Sequence, residues 1–262
     1  MKLLFWNLGK NDNAALALEC MQSNGVSVAA FAEYSRTEFS DEMLNDVGYR
    51  LVGKGGCDKI KVLVDNSVYD IDLYEESRFS VFVFEALEAK FIFATTHLVD
   101  RRSSPSPGKR VKQIGAMMDV IHGYENACGV DRTVIMGDFN SNPYDIELLQ
   151  PSAFNAMLFK GILRARDSRT WDGEDYPFMY NPTVHWLSED TETYGSIYYS
   201  SDDGTGPVWN CFDQALVSPE LMDSVKGYSY LKKIGDMDLI AKWCPRREIS
   251  DHLPLLVEID IR

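Results

Sequence analysis

Apolar residues in this chain gather into short runs that end abruptly in a polar side chain. Lys2-Leu3-Leu4-Phe5-Trp6 ends in Asn7, Val26 to Ala32 ends in Glu33, Phe91 to Thr96 ends in His97, and Thr133-Val134-Ile135-Met136 runs into Gly137-Asp138-Phe139-Asn140. Later, Asp213 and Gln214 open the run Ala215-Leu216-Val217, and Ser250-Asp251-His252 precedes Leu253 to Val257. A run that is apolar throughout reads as a strand buried on both faces. A polar side chain at its end stands on a rigid platform and points into whatever lies beyond the sheet. Further strands are predicted over residues 49–52, 59–64, 68–73 and 78–85. A tight turn near Glu88 should join the 80–84 and 90–95 strands.

Helical periodicity is confined to a few stretches. Asp12 or Asn13 can cap a helix through Ala14 to Met21, stopped by Gly25. A shorter helix fits residues 39–46, after Ser35 or Thr37. Pro107-Gly108 precedes an amphipathic helix from about Lys109 to Tyr124, with Val111, Ile114, Met117, Met118 and Ile121 on one face. Runs of adjacent strands broken by a few helices suggest two sheets packed face to face with helices outside. Two stretches read as loops. Residues 100–108 are basic and follow His97. Residues 165–210 are irregular and rich in aromatics: Trp171, Tyr176, Phe178, Tyr180, Trp186, Tyr194, Tyr198, Tyr199 and Trp209.

The strand-end residues share one chemistry. Asp, Glu and Asn offer hard oxygen donors suited to Mg²⁺, and a neighbouring His moves a proton or stabilises charge near neutral pH. Any one of them alone is more often a turn former or a helix cap. Their accumulation at successive strand ends points to a divalent-metal hydrolase.

In order, Trp6-Asn7, Ala32-Glu33, Thr96-His97, Gly137-Asp138-Phe139-Asn140, Asp213 and Ser250-Asp251-His252 resemble the motif series of the endonuclease/exonuclease/phosphatase superfamily, which has the fold of DNase I. The resemblance runs from residue 6 to residue 252. It implies an α/β four-layer α-β-β-α sandwich of two packed mixed sheets and a Mg²⁺-dependent phosphoesterase, with Mn²⁺ as a substitute ion. It implies Glu33 as metal ligand, with Asn7 and Asp251 completing the ion's surroundings. Asp138 would orient or deprotonate the attacking water and Asn140 would hold a phosphate oxygen. Asp213 would pair with His252, and His97 would contact the scissile phosphate from the other side. Family members often carry an acidic residue two positions after the first Asn. Gly9 stands there instead, which puts a second metal position in question. Phe212 and Gln214 depart from the usual neighbours of the late Asp.

Composition narrows this less than the motifs do. With 262 residues, 45% hydrophobic and 25% charged, the chain is ordinary for a globular protein. Candidate residues from both ends favour one domain over residues 1–262. The net charge of −14 repels long polyanions. Arg101, Arg102, Lys109 and Arg110 would then form a local basic rim beside His97; the aromatics of 171–209 would form a satellite cluster packed on the sheet edge, or Trp186 or Trp209 among them would stack on a base or line a pocket. Cys20, Cys57, Cys128, Cys211 and Cys244 are odd in number, widely spaced and lack a CxxC pair, which argues for reduced thiols in a cytoplasmic protein. No signal-peptide core and no membrane span are predicted, and no obligate protein partner is evident. The leading expectation is a nuclease cleaving phosphodiester bonds. The alternative is the same chemistry on a lipid headgroup, an inositol phosphate or a nucleotide. The third, a binding protein without catalysis, sits poorly with an intact set of strand-end residues.

Overall fold

The computed structural model describes residues 1–104, 106–189, 195–199 and 208–262. Two large sheets dominate it, one of six strands and one of seven among the described residues. The six-stranded sheet runs in the order Val225–Tyr230, Leu255–Ile259, β1 (Lys2–Asn7), β2 (Val28–Ala32), β4 (Ile60–Asp65) and β3 (Tyr49–Val52). The seven-stranded sheet runs β5 (Tyr69–Glu76), β6 (Phe79–Ala86), β7 (Ala89–His97), β8 (Thr133–Asp138), Asp213–Val217, Met179–Tyr180 and Ala156–Met157. Both are mixed: β1 pairs with β2, and β7 with β8, in parallel, while the flanking pairs are antiparallel.

Strand alternation explains how the layers stack. In β6, Phe82 and Phe84 face the core between the sheets, with Phe91, Phe93, Val134 and Met136 beside them. Val81 and Val83 face the other way, joining Ile92, Ala94 and Ile135 beneath α3 (Gly108–Cys128), which lays Ile114, Met117, Met118 and Ile121 onto that face. The predicted apolar stripe of α3 is the one that docks, and the helix continues past Tyr124 to its left-handed cap at Gly129. Leu87 and Glu88 form the β6–β7 turn with positive φ at both positions, as a two-residue hairpin of matching twist requires.

Caps depart from the sequence reading. α1 (Ala14–Asn24) ends at Gly25 as expected, but Asn13 makes no capping bond. Its amide instead donates to the carbonyls of Leu8 and Ile249, tying the first loop to the last. α2 (Asp41–Val47) is capped by Ser40, whose hydroxyl accepts from Met43 N–H.

The stretch 165–210 is not one loop. It contains a hairpin of Ser168–Trp171 with Glu174–Pro177, the Met179–Tyr180 strand that joins the large sheet, a helix over Thr183–Glu189, and the paired Ile197–Tyr198 and Trp209–Asn210. Tyr194 lies outside the described residues. Short strands and a seven-residue helix carry too little periodicity to stand out from a polar background. Among the described residues, no helix is long and apolar enough to cross a membrane.

Candidate active site

The register of the strands assembles the candidate residues. His97 at the end of β7 lies opposite Asp138 at the end of β8, and Asp138 lies opposite Asp213 at the start of the next strand. The three form one row across the seven-stranded sheet. On the other sheet, Asn7 lies opposite Ala32, so Glu33 projects just beyond the same end. Gly137 is what lets β7 and β8 come together there, because a Cβ at that position would collide with the Thr96 carbonyl. Glu33 and Asn140 take left-handed backbone conformations just past their strand ends, with φ of 49° and 48°, uncommon for residues with a Cβ.

Hydrogen bonds lock the row. Asp138 is 2% exposed and accepts from Asn7 Nδ2 at 3.1 Å through Oδ2 and from Asn140 N–H at 2.9 Å through Oδ1. Asn140 Nδ2 donates to the Leu98 carbonyl at 3.1 Å. The Ser250 hydroxyl donates to the Asn7 carbonyl at 2.6 Å and accepts from His252 N–H at 3.0 Å. Trp6 Nε1 donates to the His252 carbonyl at 3.0 Å. The first strand and the last motif are thereby held together across the whole length of the chain.

His252 Nδ1 lies 2.6 Å from Asp213 Oδ2, and its Nε2 faces Asp138 Oδ2 at 4.0 Å. Burial alone would lower the imidazole's pKa. The Asp213 carboxylate overrides it by charge and hydrogen bond, with Asp138 and Asp251 adding to the effect, and the pKa is pushed up to about 10. Burial raises Asp213 as well, against the pull of His252. The buried pair therefore keeps its proton through neutral pH. His97 presents Nε2 at 3.7 Å from Glu33 Oε1 and 3.6 Å from Asp138 Oδ2, and its Nδ1 has no hydrogen-bond partner among the described residues.

These residues open onto a cleft of about 660 Å³, lined by Glu33, His97, Asp138, Asn140, Asp251 and His252 on the floor, with Lys10, Tyr34, Lys59, Arg78, Arg101, Arg102, Ile197 and Tyr199 around them. Asn7 and Asp213 lie beneath this lining, both buried. Asp138, Asp213 and His252 are close enough to one another to share an ion. Their facing atoms are already joined, however, with the imidazole Nδ1 on the Asp213 carboxylate. Glu33 and the exposed Asp251 instead offer carboxylates to the cleft itself, and Asn7 Oδ1 accepts from Gly9 N–H at 3.0 Å. This all-oxygen set fits Mg²⁺ or Mn²⁺, with Asn7 better placed behind the ion than on it.

Three rim expectations are corrected. Arg110 is not on the rim: it is 1% exposed, and its guanidinium lies 2.6 Å from Glu147 Oε1 and donates to the Ser104 carbonyl. Trp186 and Trp209 do not line the cleft; both pack half-buried against the central core, and Trp209 meets Tyr198 edge to face. Arg101 does line the cleft, but its charge is committed to Asp145 at 2.5 Å and its Nε to the Asn140 carbonyl. Arg102 is exposed at the cleft edge.

Arg78 was not singled out from the sequence. It precedes β6, lines the cleft and donates from Nη1 to the His97 carbonyl at 3.2 Å. Only the β6–β7 hairpin register, which sets Phe79 opposite Thr96, places it there. Ser196 was also missed: its hydroxyl accepts from the N–H groups of Phe212 and Asp213 and fixes the start of that strand.

No family model matches the sequence, and no curated protein matches it. Solved structures do match in three dimensions. Truncated Caenorhabditis elegans TDP2 is 16% identical, with a TM-score of 0.59 over 98% of this chain and 96% of that one. The human Nocturnin catalytic domain is 14% identical, with a TM-score of 0.63 over 100% and 94%. A mannosyl-6-phosphatase from Bacteroides thetaiotaomicron is 14% identical, with a TM-score of 0.62 over 99% of each chain. A Bacteroides thetaiotaomicron protein described as of the endonuclease/exonuclease/phosphatase family matches at 14% identity and a TM-score of 0.58, over 99% and 97%. Taken with the two mixed sheets and their strand order, these likenesses show that the chain shares the DNase I-like fold of these structures.

Proposed function

We propose that the protein is a divalent-metal-dependent phosphoesterase, a nuclease cleaving phosphodiester bonds, carried by one domain over residues 1–262. The observation that supports it most is the cross-strand row His97–Asp138–Asp213 with His252 and Glu33 gathered on it. In this reading Glu33 and Asp251 hold Mg²⁺ or Mn²⁺, with Asn7 behind them. A bound ion of this kind neutralises charge on the phosphoryl oxygens.

The protein's own groups do the rest. Asp138, fixed through both oxygens, orients the attacking water and accepts its proton. His252, held cationic by Asp213, and His97 on the opposite side face the negative charge that grows on the phosphoryl group. Asn140 has a second amide hydrogen beyond the one taken by Leu98, which serves a phosphate oxygen. Arg78, anchored on the His97 carbonyl, adds a cation beside it.

A second reading keeps the chemistry and shrinks the substrate to a small phosphoester. It draws on the cleft's cations: Lys10 faces Glu33, Lys59 faces Asp58 and Arg101 faces Asp145, so few remain to track a long backbone. Solved structures similar to this one include both an endonuclease domain and a mannosyl-6-phosphatase, so the fold accommodates either substrate.

The test is hydrolysis of plasmid DNA, single-stranded oligonucleotides, RNA and small phosphomonoesters and phosphodiesters, with Mg²⁺, Mn²⁺ or chelator. The expected result is metal-dependent cleavage, lost in chelator, with Glu33→Gln shifting the metal requirement upward while its melting temperature holds. Hydrolysis that survives chelation, or Glu33→Gln matching wild type at limiting Mg²⁺, overturns the assignment. Cleavage confined to small esters moves the conclusion to the second reading.

A further inference from the structure

Lys10 sits where the backbone does not favour a lysine. Its φ is +62°, in the left-handed region that glycine and asparagine enter more easily. The conformation is held because Lys10 N–H donates at 2.9 Å to the carbonyl of Glu33, itself left-handed, and Asn11 N–H closes the turn onto Leu8. Two uncommon backbone conformations, on the ends of neighbouring strands, are thus bonded to one another at the edge of the cleft. The result is that Lys10 Nζ reaches Glu33 Oε2 at 3.5 Å while Glu33 Oε1 faces His97.

This ion pair has little structural purpose. The lysine side chain is 67% exposed, and a loose pair in that setting contributes little to stability. The neighbouring position, a glycine, supplies no acid beside it. Gly9 has a φ of +60°, and a Cβ there would lie 3.2 Å from Asp251 Oδ1 and 3.3 Å from Ser250 Oγ. The turn therefore offers the cleft an ammonium and no further carboxylate. Lys59, Arg78 and Arg101 have partners other than Glu33: the Asp58 carboxylate, the His97 carbonyl and the Asp145 carboxylate respectively. Lys10 instead shares the carboxylate that the proposed function assigns to the ion.

Resting on that reading, we infer that Lys10 is a resident cation of the phosphate site, which competes with the divalent ion for Glu33 and, when the ion binds, turns its ammonium to the phosphoryl group of the substrate. Two positive charges drawn to one carboxylate repel each other. Removing the ammonium should therefore favour the metal and disfavour the anion. These opposite signs are what a merely solvated lysine would not produce.

Calorimetric titration of the whole protein with Mn²⁺ alone, and of the Mn²⁺-loaded protein with inorganic phosphate, tests this. Lys10→Gln should tighten Mn²⁺ binding by about two- to fivefold, the scale of one exposed ion pair. It should weaken phosphate by roughly three- to tenfold, the scale of one partly exposed charged contact. Lys10→Arg, which keeps the charge, should stay within about twofold of wild type in both titrations. Melting curves check that each variant is folded, and Lys10→Gly, suited to the left-handed backbone, replaces Lys10→Gln if that one is not. Unchanged or weaker Mn²⁺ binding in the neutral variant, or unchanged phosphate binding, overturns the inference. A wild-type protein that binds Mn²⁺ and phosphate beside indifferent Lys10 variants sinks Lys10 alone. A wild-type protein that binds no Mn²⁺ and hydrolyses no phosphoester sinks the proposed function, and this inference with it.

Discussion

The floor and the rim of the cleft are built in opposite ways. On and beneath the floor, Asn7, Glu33, His97, Asp138 and Asp213 are placed by backbone pairing, since each stands at or just past a strand end whose neighbour fixes its height. In the loops around it, side chains take their places from partners distant in sequence: Arg101 from Asp145 on the rim, and Arg110, buried behind the rim, from Glu147. A strand-end residue inherits its position from a local pattern that repeats along the chain. A loop residue depends on whichever partner reaches it first. The floor is therefore rigidly preorganised, and much of its surroundings serves to hold itself together.

The sharpest way to break this contrast is at the floor's histidines. His252→Ala, His97→Ala and Asp213→Asn should each lower kcat by about 10²- to 10⁴-fold with KM little changed, because the contacts strengthen as charge builds in the transition state. Asp213→Asn belongs with the histidines because it removes the group that holds His252 charged and oriented. The double histidine variant should fall short of the product of the singles if both act on one step. Single-turnover rates, with melting curves as folding control, decide it. Near-normal kcat in both single histidine variants would reduce the row to inherited scaffold.

How much of this was legible in the sequence follows the same division. The apolar runs ending in Asn7, His97 and Asp138 marked strands whose ends matter, and the structure sets those ends side by side. Asp213 and His252 were paired only through resemblance, since nothing in the spacing of two residues 39 apart says that their side chains meet at 2.6 Å. Arg78 carried no signal, because an arginine between Ser77 and Phe79 looks like any strand start until the hairpin register brings it under His97. Arg110 misled for the reason the rim differs from the floor. A basic residue at a helix start beside a basic loop reads as exposed, and its burial depends on a carboxylate 37 residues away. Trp186 and Trp209 left two readings open, since aromatic content does not distinguish a ring packed on a sheet edge from one facing a ligand, and both rings pack against the core.

Arg110 gives the second test, on stability. Its guanidinium is buried against Glu147, which is itself 1% exposed. Arg110→Ala would leave that carboxylate buried and uncompensated, and breaking such a pair costs on the order of 3–5 kcal/mol. The expected outcome is a large drop in denaturation midpoint, with the salt dependence of substrate binding unchanged in the protein that remains folded. Arg110→Ala together with Glu147→Leu should recover part of the loss, because the stranded charge is gone. A variant that keeps wild-type stability but loses affinity for a polyanion would return Arg110 to the rim and erase the contrast there.

Arg101 and Arg102 give the smallest effect and the finest discrimination. The two are adjacent and both line the cleft, yet Arg101 lies 2.5 Å from Asp145 while no carboxylate pairs with Arg102 among the described residues. A cation already neutralised by a protein carboxylate releases few counterions from a bound nucleic acid, whereas a free one contributes close to a full phosphate's share. For an oligonucleotide substrate, Arg102→Ala should flatten the plot of log affinity against log salt by about one phosphate contact, roughly 0.7 in slope for a single strand. Arg101→Ala should change the slope by much less, and it should loosen the loop instead, since it frees Asp145 and the Asn140 carbonyl. Raising KM without altering the slope would be the mark of that loosening. Equal slopes lost in the two variants would mean that Asp145 yields Arg101 to the substrate. In that case the rim binds nucleic acid by exchanging partners rather than by offering cations held in reserve.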